Sequence, residues 1–350
     1  MSSSQVKPES LKMPSITAIM AGFGLKVLSY ETYRGIWRVQ TEIGYKYLKR
    51  SKLNQEEVRF IFEVLEYLNG RGFRRAPRLI LNLKGEPFAQ DETGLFVLTD
   101  WQFSNELDFR ILMDLRAAAR FLAEFHLAGQ GFEPVKTLPE RTCWYGWPMK
   151  FIRRLRQLEE FEQLAQGEAE HSEFSRLYLR HYNTFYRQAV YSLELLFRAP
   201  YSIVAQNDST RRSLCHHDFS SRNLLRTYDH RLFLVDFDYC LRDLRIHDII
   251  NLLVRNLKHN GWRVEIGRFI LQEYQQVSPL SREEIEVMQV LLTWPQDFWQ
   301  VGLQYYLEKL PWPKERFLKK LEEKVNTHPA REAFLRRFPN ENGLFRINGV

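Results

Sequence analysis

From residue 23 to residue 49 apolar and polar positions alternate with the period of two that a half-buried strand requires. The alternation predicts strands over Leu25–Tyr30, Gly35–Thr41 and Tyr45–Lys49, joined by turns at Tyr33-Arg34-Gly35 and Glu42-Ile43-Gly44. The period then changes. Val58, Ile61, Phe62, Leu65 and Leu68 recur at helical spacing across Asn54–Asn69, with Asn54 as the N-cap, Glu56 and Glu57 in the first turn, and Gly70 and Gly72 beyond the end. Strands are expected again at Arg78–Leu83 and Gly94–Thr99, on either side of the turn Lys84-Gly85-Glu86-Pro87. After the polar segment Asp100–Asn105, read as a hinge, the pattern is helical: Asp108–Leu127, Met149–Ala165, Phe174–Phe197, then stretches near 263–277, 281–293, 296–308 and 313–325. The expectation is an α+β chain. A flexible tail (1–14) precedes a small antiparallel-sheet domain (15–100) and a larger, mainly helical one (101–350) that carries an insertion at about 140–200.

Composition narrows the class. A chain of 350 residues with 44% hydrophobic and 14% aromatic content can bury two modest cores and is not disordered. The net charge of +7 suits partners such as nucleotides and other anions; with no nucleic-acid motif beside it, nucleic acid is not the expected partner. Cys143, Cys215 and Cys240 show no CxxC spacing and cannot all pair, which points to a reducing compartment. The polar start MSSSQVKPESLKMPS lacks the apolar core of a secretory signal, and Ile16–Leu25 is too short to span a bilayer. A cytoplasmic protein with no membrane partner is expected.

The chemistry concentrates in residues 214–253, LCHHDFSSRNLLRTYDHRLFLVDFDYCLRDLRIHDIINLL. Asn223 follows Asp218 by five residues. The strand-like Leu232–Val235 then delivers Asp236, and Asp248 follows on a helical segment. Phosphoryl transfer needs a carboxylate beside the acceptor hydroxyl, plus an amide oxygen and a second carboxylate for Mg²⁺ on the nucleotide phosphates. Asp218, Asn223 and Asp236 are the residues of that kind, and a loop followed by a hairpin is expected to gather them.

HHDFSSRNLL…FLVDFDYCLRDLRIHDI resembles the aminoglycoside phosphotransferase and choline kinase superfamily. The resemblance implies a protein-kinase-like two-lobed fold using ATP or GTP with Mg²⁺. It implies that Asp218 is the catalytic base, that Asn223 and Asp236 are the metal ligands, that His216 braces the loop, and that Asp248 buttresses it. Leu122-Ala123-Glu124-Phe125-His126 matches a helix that recurs in the superfamily, with His126 as a core or supporting histidine. The third strand is where this fold carries its phosphate-pairing lysine. Lys46 and Lys49 fall on opposite faces of that strand; Lys49 shares a face with Tyr45 and Tyr47 and aligns better, so it is preferred. Glu56, Glu57 and Glu63 are its candidate carboxylate partners, and Asp100 and Trp101 at the hinge complete the expected nucleotide contacts.

The chain departs from protein kinases. It has no GxGxxG, only Tyr33-Arg34-Gly35-Ile36 as the phosphate-covering turn, and Asp236-Phe237-Asp238 replaces DFG. Gly35-Ile36-Trp37-Arg38-Val39, Tyr47-Leu48-Lys49-Arg50, Cys143-Trp144-Tyr145-Gly146-Trp147-Pro148 and Trp312-Pro313-Lys314-Glu315-Arg316-Phe317-Leu318 are similar, in that order, to the spore-coat kinase-like family of endospore-forming bacteria named for spore coat protein S. That likeness implies synthesis in the mother cell, association with the spore coat and its proteins, and a small hydroxylated molecule or coat glycan as acceptor. A silent structural protein of the coat is the alternative. Trp144 and Trp147 either stack on an acceptor or pack the insertion, and Arg153, Arg154 and Arg156 either attract an anion or line a solvated face.

Overall fold

A computed structural model describes residues 14–33, 35–102 and 104–341. All of the expected tail except Pro14, and Arg34 of the expected phosphate-covering turn, lie outside these residues. The chain divides into two compact units. The first comprises the described residues through Glu106 with Glu133–Leu138 and Leu224–Asp238; the second comprises Leu107–Phe132, Pro139–Asn223 and the described residues from Tyr239 onward.

In the first unit β1 (Val27–Tyr33), β2 (Ile36–Thr41), β3 (Gly44–Ser51), β4 (Ala89–Asp91) and β5 (Gly94–Asp100) form an antiparallel sheet in the order β1-β2-β3-β5-β4. Gly44, at φ 110°, makes the tight turn between β2 and β3 that a residue with a Cβ would strain. Alternation then assigns the faces. Val39, Leu48, Phe96 and Leu98 pack on Ile16, Ile19 and Met20 of α1 (Ile16–Gly22), while Leu95 and Val97 face Val58 of α2 (Gln55–Gly70). Helix α2 begins where its sequence says it should: Asn54 Oδ1 accepts from Glu57 N at 2.9 Å, and Glu57 returns the bond to Asn54 N at 3.0 Å. A second sheet pairs β6 (Ser104–Glu106) with the hairpin β8 (Leu224–Thr227) and β9 (Leu232–Leu234). Leu234 N also bonds Arg75 O at 2.9 Å, which ties this late hairpin into the first unit.

Arg78–Leu83 is not a strand, contrary to expectation. It follows Pro77, which has no N–H to give, and it ends in a turn where Asn82 Oδ1 takes Lys84 N and Glu86 N. One ladder-like bond survives, Ile80 N to Leu98 O at 2.8 Å, and the edge of β5 is instead paired by Ala89–Asp91.

The second unit is helical: α3 (Leu112–Gly129), α4 (Trp147–Glu168), α5 (Glu173–Arg198), α6 (Tyr201–Arg211), α7 (Ile246–His259), α8 (Val264–Gln275), α9 (Arg282–Thr293), α10 (Gln296–Gly302) and α11 (Lys314–Glu341). Its only β pairing among the described residues, apart from an isolated bridge, joins β7 (Leu214–Cys215) to β10 (Leu241–Arg242), the strands that flank the segment carrying Asp218 and Asp236. The helix expected over 296–308 ends as α10 at Gly302 and continues as a π-turn, Leu303–Leu307. The one expected over 313–325 runs on through Pro329, because Phe334 and Phe338 stack on each other and pack against Gly267 and Trp262. Phe161, Tyr178, Phe185 and Phe298 fill the contact between α4, α5 and α10, with Tyr178–Phe298 and Phe185–Phe298 stacked at 4.3 and 4.2 Å.

Two glycines test this packing. A Cβ on Gly302 would lie 2.7 Å from Phe161 and 2.9 Å from the Tyr178 hydroxyl; a Cβ on Gly167, near the end of α4, would meet nothing within 4 Å. Gly302→Ala is expected to lower stability by about 1–3 kcal/mol. Gly167→Ala is expected to raise it by about 0.4–1 kcal/mol. Chemical denaturation of both variants measures the difference.

Candidate active site

In the first unit the site is built around Lys49. β3 places Lys46 and Leu48 on one face and Tyr47 and Lys49 on the other. The two lysines therefore have different partners: Lys46 Nζ meets Asp100 Oδ1 across the β3–β5 ladder at 2.5 Å, whereas Lys49 Nζ meets Asp236 Oδ1 at 2.5 Å and Asp238 Oδ2 at 2.8 Å. Burial works against the Lys49 charge, but the Asp238 and Asp236 carboxylates outweigh it and hold the ammonium above the ordinary lysine range. Asp236 sits at φ 66°, an uncommon left-handed conformation for a residue with a side chain, immediately before the 3₁₀ turn Phe237–Tyr239. The neighbouring Tyr47 hydroxyl is pushed up, by burial first.

Helix α2 does not supply the carboxylate partner that was expected for Lys49. Glu57 is spent on the capping box, Glu56 pairs with Arg59 and Lys136, and Glu63 accepts from Val135 N. Asp236 and Asp238 take that role. Asp100, with its carboxylate on Lys46, lies on the sheet face opposite Lys49. Trp101 N bonds Tyr45 O, and the Trp101 ring lies 6.1 Å from that of Tyr47 and beneath the Arg38 guanidinium.

In the second unit the loop between β7 and β8 carries Asp218. Its Oδ2 accepts from Asn223 Nδ2 at 2.8 Å, and the same nitrogen gives a second bond to Asp218 O at 2.9 Å. With its amide nitrogen committed to Asp218, the side-chain atom that Asn223 has left to offer is its oxygen, a hard donor. Asp218 Oδ1 meets Arg255 Nη2 of α7 at 2.5 Å. Sequence reading passed over Arg255; its only signal was a cation two turns after Asp248 on the same helix.

The loop is held from below by Asp248, which is fully buried. Oδ2 accepts from His216 N at 2.6 Å and Oδ1 from His217 N at 2.8 Å. His217 lies at φ 64°. His126 Nε2 approaches Asp248 Oδ2 at 3.3 Å, while its Nδ1 meets Tyr274 Oη at 2.8 Å. Burial alone would raise the Asp248 pKa; His126 and His247 reverse the sign and hold it well below the ordinary carboxylate range. Burial pushes His126 down, and burial with His217 nearby pushes His247 down to about 4. The structure thus brings His216, Asp248 and His126 together as one brace. Cys215 stands beside it, its thiol directed at the carbonyls of Asp243 and Leu244 and its pKa raised by burial.

Trp144 and Trp147 are packing residues: both are buried, with Nε1 of Trp144 on Ser213 O and Nε1 of Trp147 on Asp243 Oδ1. Tyr145 between them is exposed. Arg153 and Arg156 face solvent, but Arg154 stacks over Trp299 at 4.3 Å and bonds Gln296.

A family model described as "Spore coat putative kinase YutH" matches residues 17–338. Spore coat protein S of Bacillus subtilis (strain 168) is 24% identical over 316 residues, 89% of this chain and 88% of that protein. The crystal structure of an aminoglycoside phosphotransferase from Alicyclobacillus acidocaldarius superposes with a TM-score of 0.78 at 21% identity, covering 95% of this chain and 98% of the other. A spectinomycin phosphotransferase in complex with ADP and spectinomycin gives a TM-score of 0.57 at 12% identity, covering 88% and 94%. The fold is the kinase-like one of these phosphotransferases.

The brace makes a pH prediction. A histidine near 6.5 when unfolded and near 4 when folded takes up its proton more readily in the unfolded chain, so stability falls as pH drops from about 6.5 to about 4 and levels off below. His247 alone contributes on the order of 3 kcal/mol to that fall. His247→Gln should flatten the pH dependence in this window, as read by urea unfolding at pH 7 and pH 5; an unchanged slope would show that His247 does not carry it.

Proposed function

The chain belongs to the YutH family of kinase-like spore coat proteins, and on that premise we propose that it is an ATP- or GTP-dependent, Mg²⁺-dependent phosphotransferase acting on a hydroxyl of a small molecule or coat glycan. The observation that carries the reading is the Asp218 carboxylate, held by the Asn223 amide nitrogen, which leaves the Asn223 oxygen as the atom proposed to take a metal. In this proposal the first unit binds nucleotide, with Lys49 on its phosphates and Asp100 and Trp101 at the hinge. Asn223 and Asp236 would hold Mg²⁺, whose charge offsets that of the phosphates when it is bound.

Asp218 receives and orients the acceptor hydroxyl through Oδ1, and Lys49 exchanges Asp236 and Asp238 for phosphate oxygens. Catalysis of this kind is positioning and charge neutralisation more than covalent chemistry. His216, Asp248 and His126 act by holding the loop. The matching of spore coat protein S supports action in the mother cell or on the forming coat, beside other coat proteins. Among the described residues no helix is long and apolar enough to cross a membrane.

The second reading is a silent scaffold of the coat. It is favoured by one observation: both charged groups needed for turnover already have internal partners, Lys49 in two aspartates and Asp218 in Arg255. Titration calorimetry separates the two. Mg²⁺-dependent binding of ATP or GTP by wild type, abolished in Asp236→Ala and retained in Asp218→Asn, is expected for the kinase. Asp218→Asn should then cut nucleotide turnover about 10²–10⁴-fold. No binding of either nucleotide at millimolar concentration would make the scaffold the correct reading.

A further inference from the structure

Resting on the reading of Asp218 as the residue that receives the acceptor hydroxyl, we propose that Arg255 determines specificity by binding the negative charge of an anionic acceptor, a compact hydroxy acid or hydroxy phosphate. His247, Asn251 and Arg255 form one stripe of α7 at i, i+4 spacing. Asn251 Nδ2 bonds His217 O at 3.2 Å and so fixes this stripe to the catalytic loop; one turn further on, Arg255 Nη2 reaches Asp218 Oδ1. Because Asn223 holds Oδ2, the oxygen left for an acceptor hydroxyl is the one shared with a guanidinium.

A guanidinium offers five N–H donors in a planar fork, and Asp218 takes one of those of Arg255. The Arg255 side chain is 45% exposed, so its other donors are open to a ligand. Arg222, the exposed residue just before Asn223, adds a second positive charge with no partner among the described residues. A cationic acceptor meets like charge here. A neutral sugar must disturb the ion pair without replacing it. An anionic acceptor places its hydroxyl at Oδ1 and its charge on the fork, and the half-exposed ion pair costs little to rearrange.

The test uses full-length protein without nucleotide or metal. Wild type, Arg255→Ala, Arg255→Lys and Asp218→Asn are titrated calorimetrically with D-glycerate, sn-glycerol 3-phosphate, glycerol and choline. The two anions are expected to bind wild type in preference to glycerol and choline. Arg255→Ala should weaken them at least tenfold, and Arg255→Lys should recover part of the loss. Asp218→Asn should tighten them, because it removes the internal competitor for the guanidinium. Preference for choline or glycerol, failure of both anions on wild type and Asp218→Asn alike, or an unchanged Arg255→Ala overturns the proposal. These titrations contain no nucleotide, so their failure is distinct from a failure of nucleotide binding.

Discussion

A single buried carboxylate sets the shape of the loop that carries Asp218. Asp248 accepts the N–H groups of two consecutive residues, His216 and His217, the second of them in the left-handed region. Such backbone is costly by itself and persists only where its surroundings over-determine it. Without the carboxylate, two buried N–H donors would lose their acceptor, and each loss costs on the order of 1–3 kcal/mol. Beside it, His126 and His247 help to hold the carboxylate charged against its burial, and His126 is itself anchored on Tyr274 of α8. Helices α3, α7 and α8 thus meet the loop at one charge.

The same stretch of chain repeats the device. Asp243 and Arg245 are also buried. Asp243 Oδ1 takes Trp147 Nε1 and Leu244 N, and its other oxygen lies 3.0 Å from His217 Nε2. Arg245 forks onto Glu284, which also closes the capping box of α9 with Ser281. Breaking a buried pair by removing one partner strands the other charge, which typically costs about 3–5 kcal/mol. Residues 243–248 are therefore the anchor between the loop and the helices around it. This also explains why Trp147, at the head of α4, is structural: its indole N–H is the partner that Asp243 requires.

Much of this was legible before any coordinates. Period-two alternation located β1, β2, β3 and β5 to within a few residues, and strand parity alone separated Lys46 from Lys49. Asn54 as N-cap, with Glu56 and Glu57 in the first turn, marked the start of α2. What could not be read is instructive. Arg78–Leu83 has strand-like composition, but Pro77 and the Asn82 turn deny it a ladder. Helices α1 and α6 are short and were hidden, α1 in an apolar run and α6 in a polar stretch with few apolar landmarks. Arg255, and the pairing of Asp238 with Lys49, escaped because the partners lie 37 and 189 residues away, and no local pattern carries a contact of that sequence separation.

The charges of the site are already compensated within each unit, and that bears on how cheaply it can be used. Lys49 rests on two aspartates, and Asp218 rests on an amide and a guanidinium. A partly buried lysine without a partner would lose its proton or its place; paired, it stays charged and positioned, ready to exchange one set of oxygens for another. In the proposed phosphotransferase, exchange of carboxylate for phosphate oxygen around the same ammonium would change little in desolvation, since the cation would never be left bare. It would liberate Asp236 and Asp238, whose negative charge would then need a new counter-ion. A divalent cation arriving with the nucleotide would meet that need. On that proposal the arrangement around Lys49 would couple nucleotide to metal through charge balance alone, because either one by itself would leave like charges facing each other.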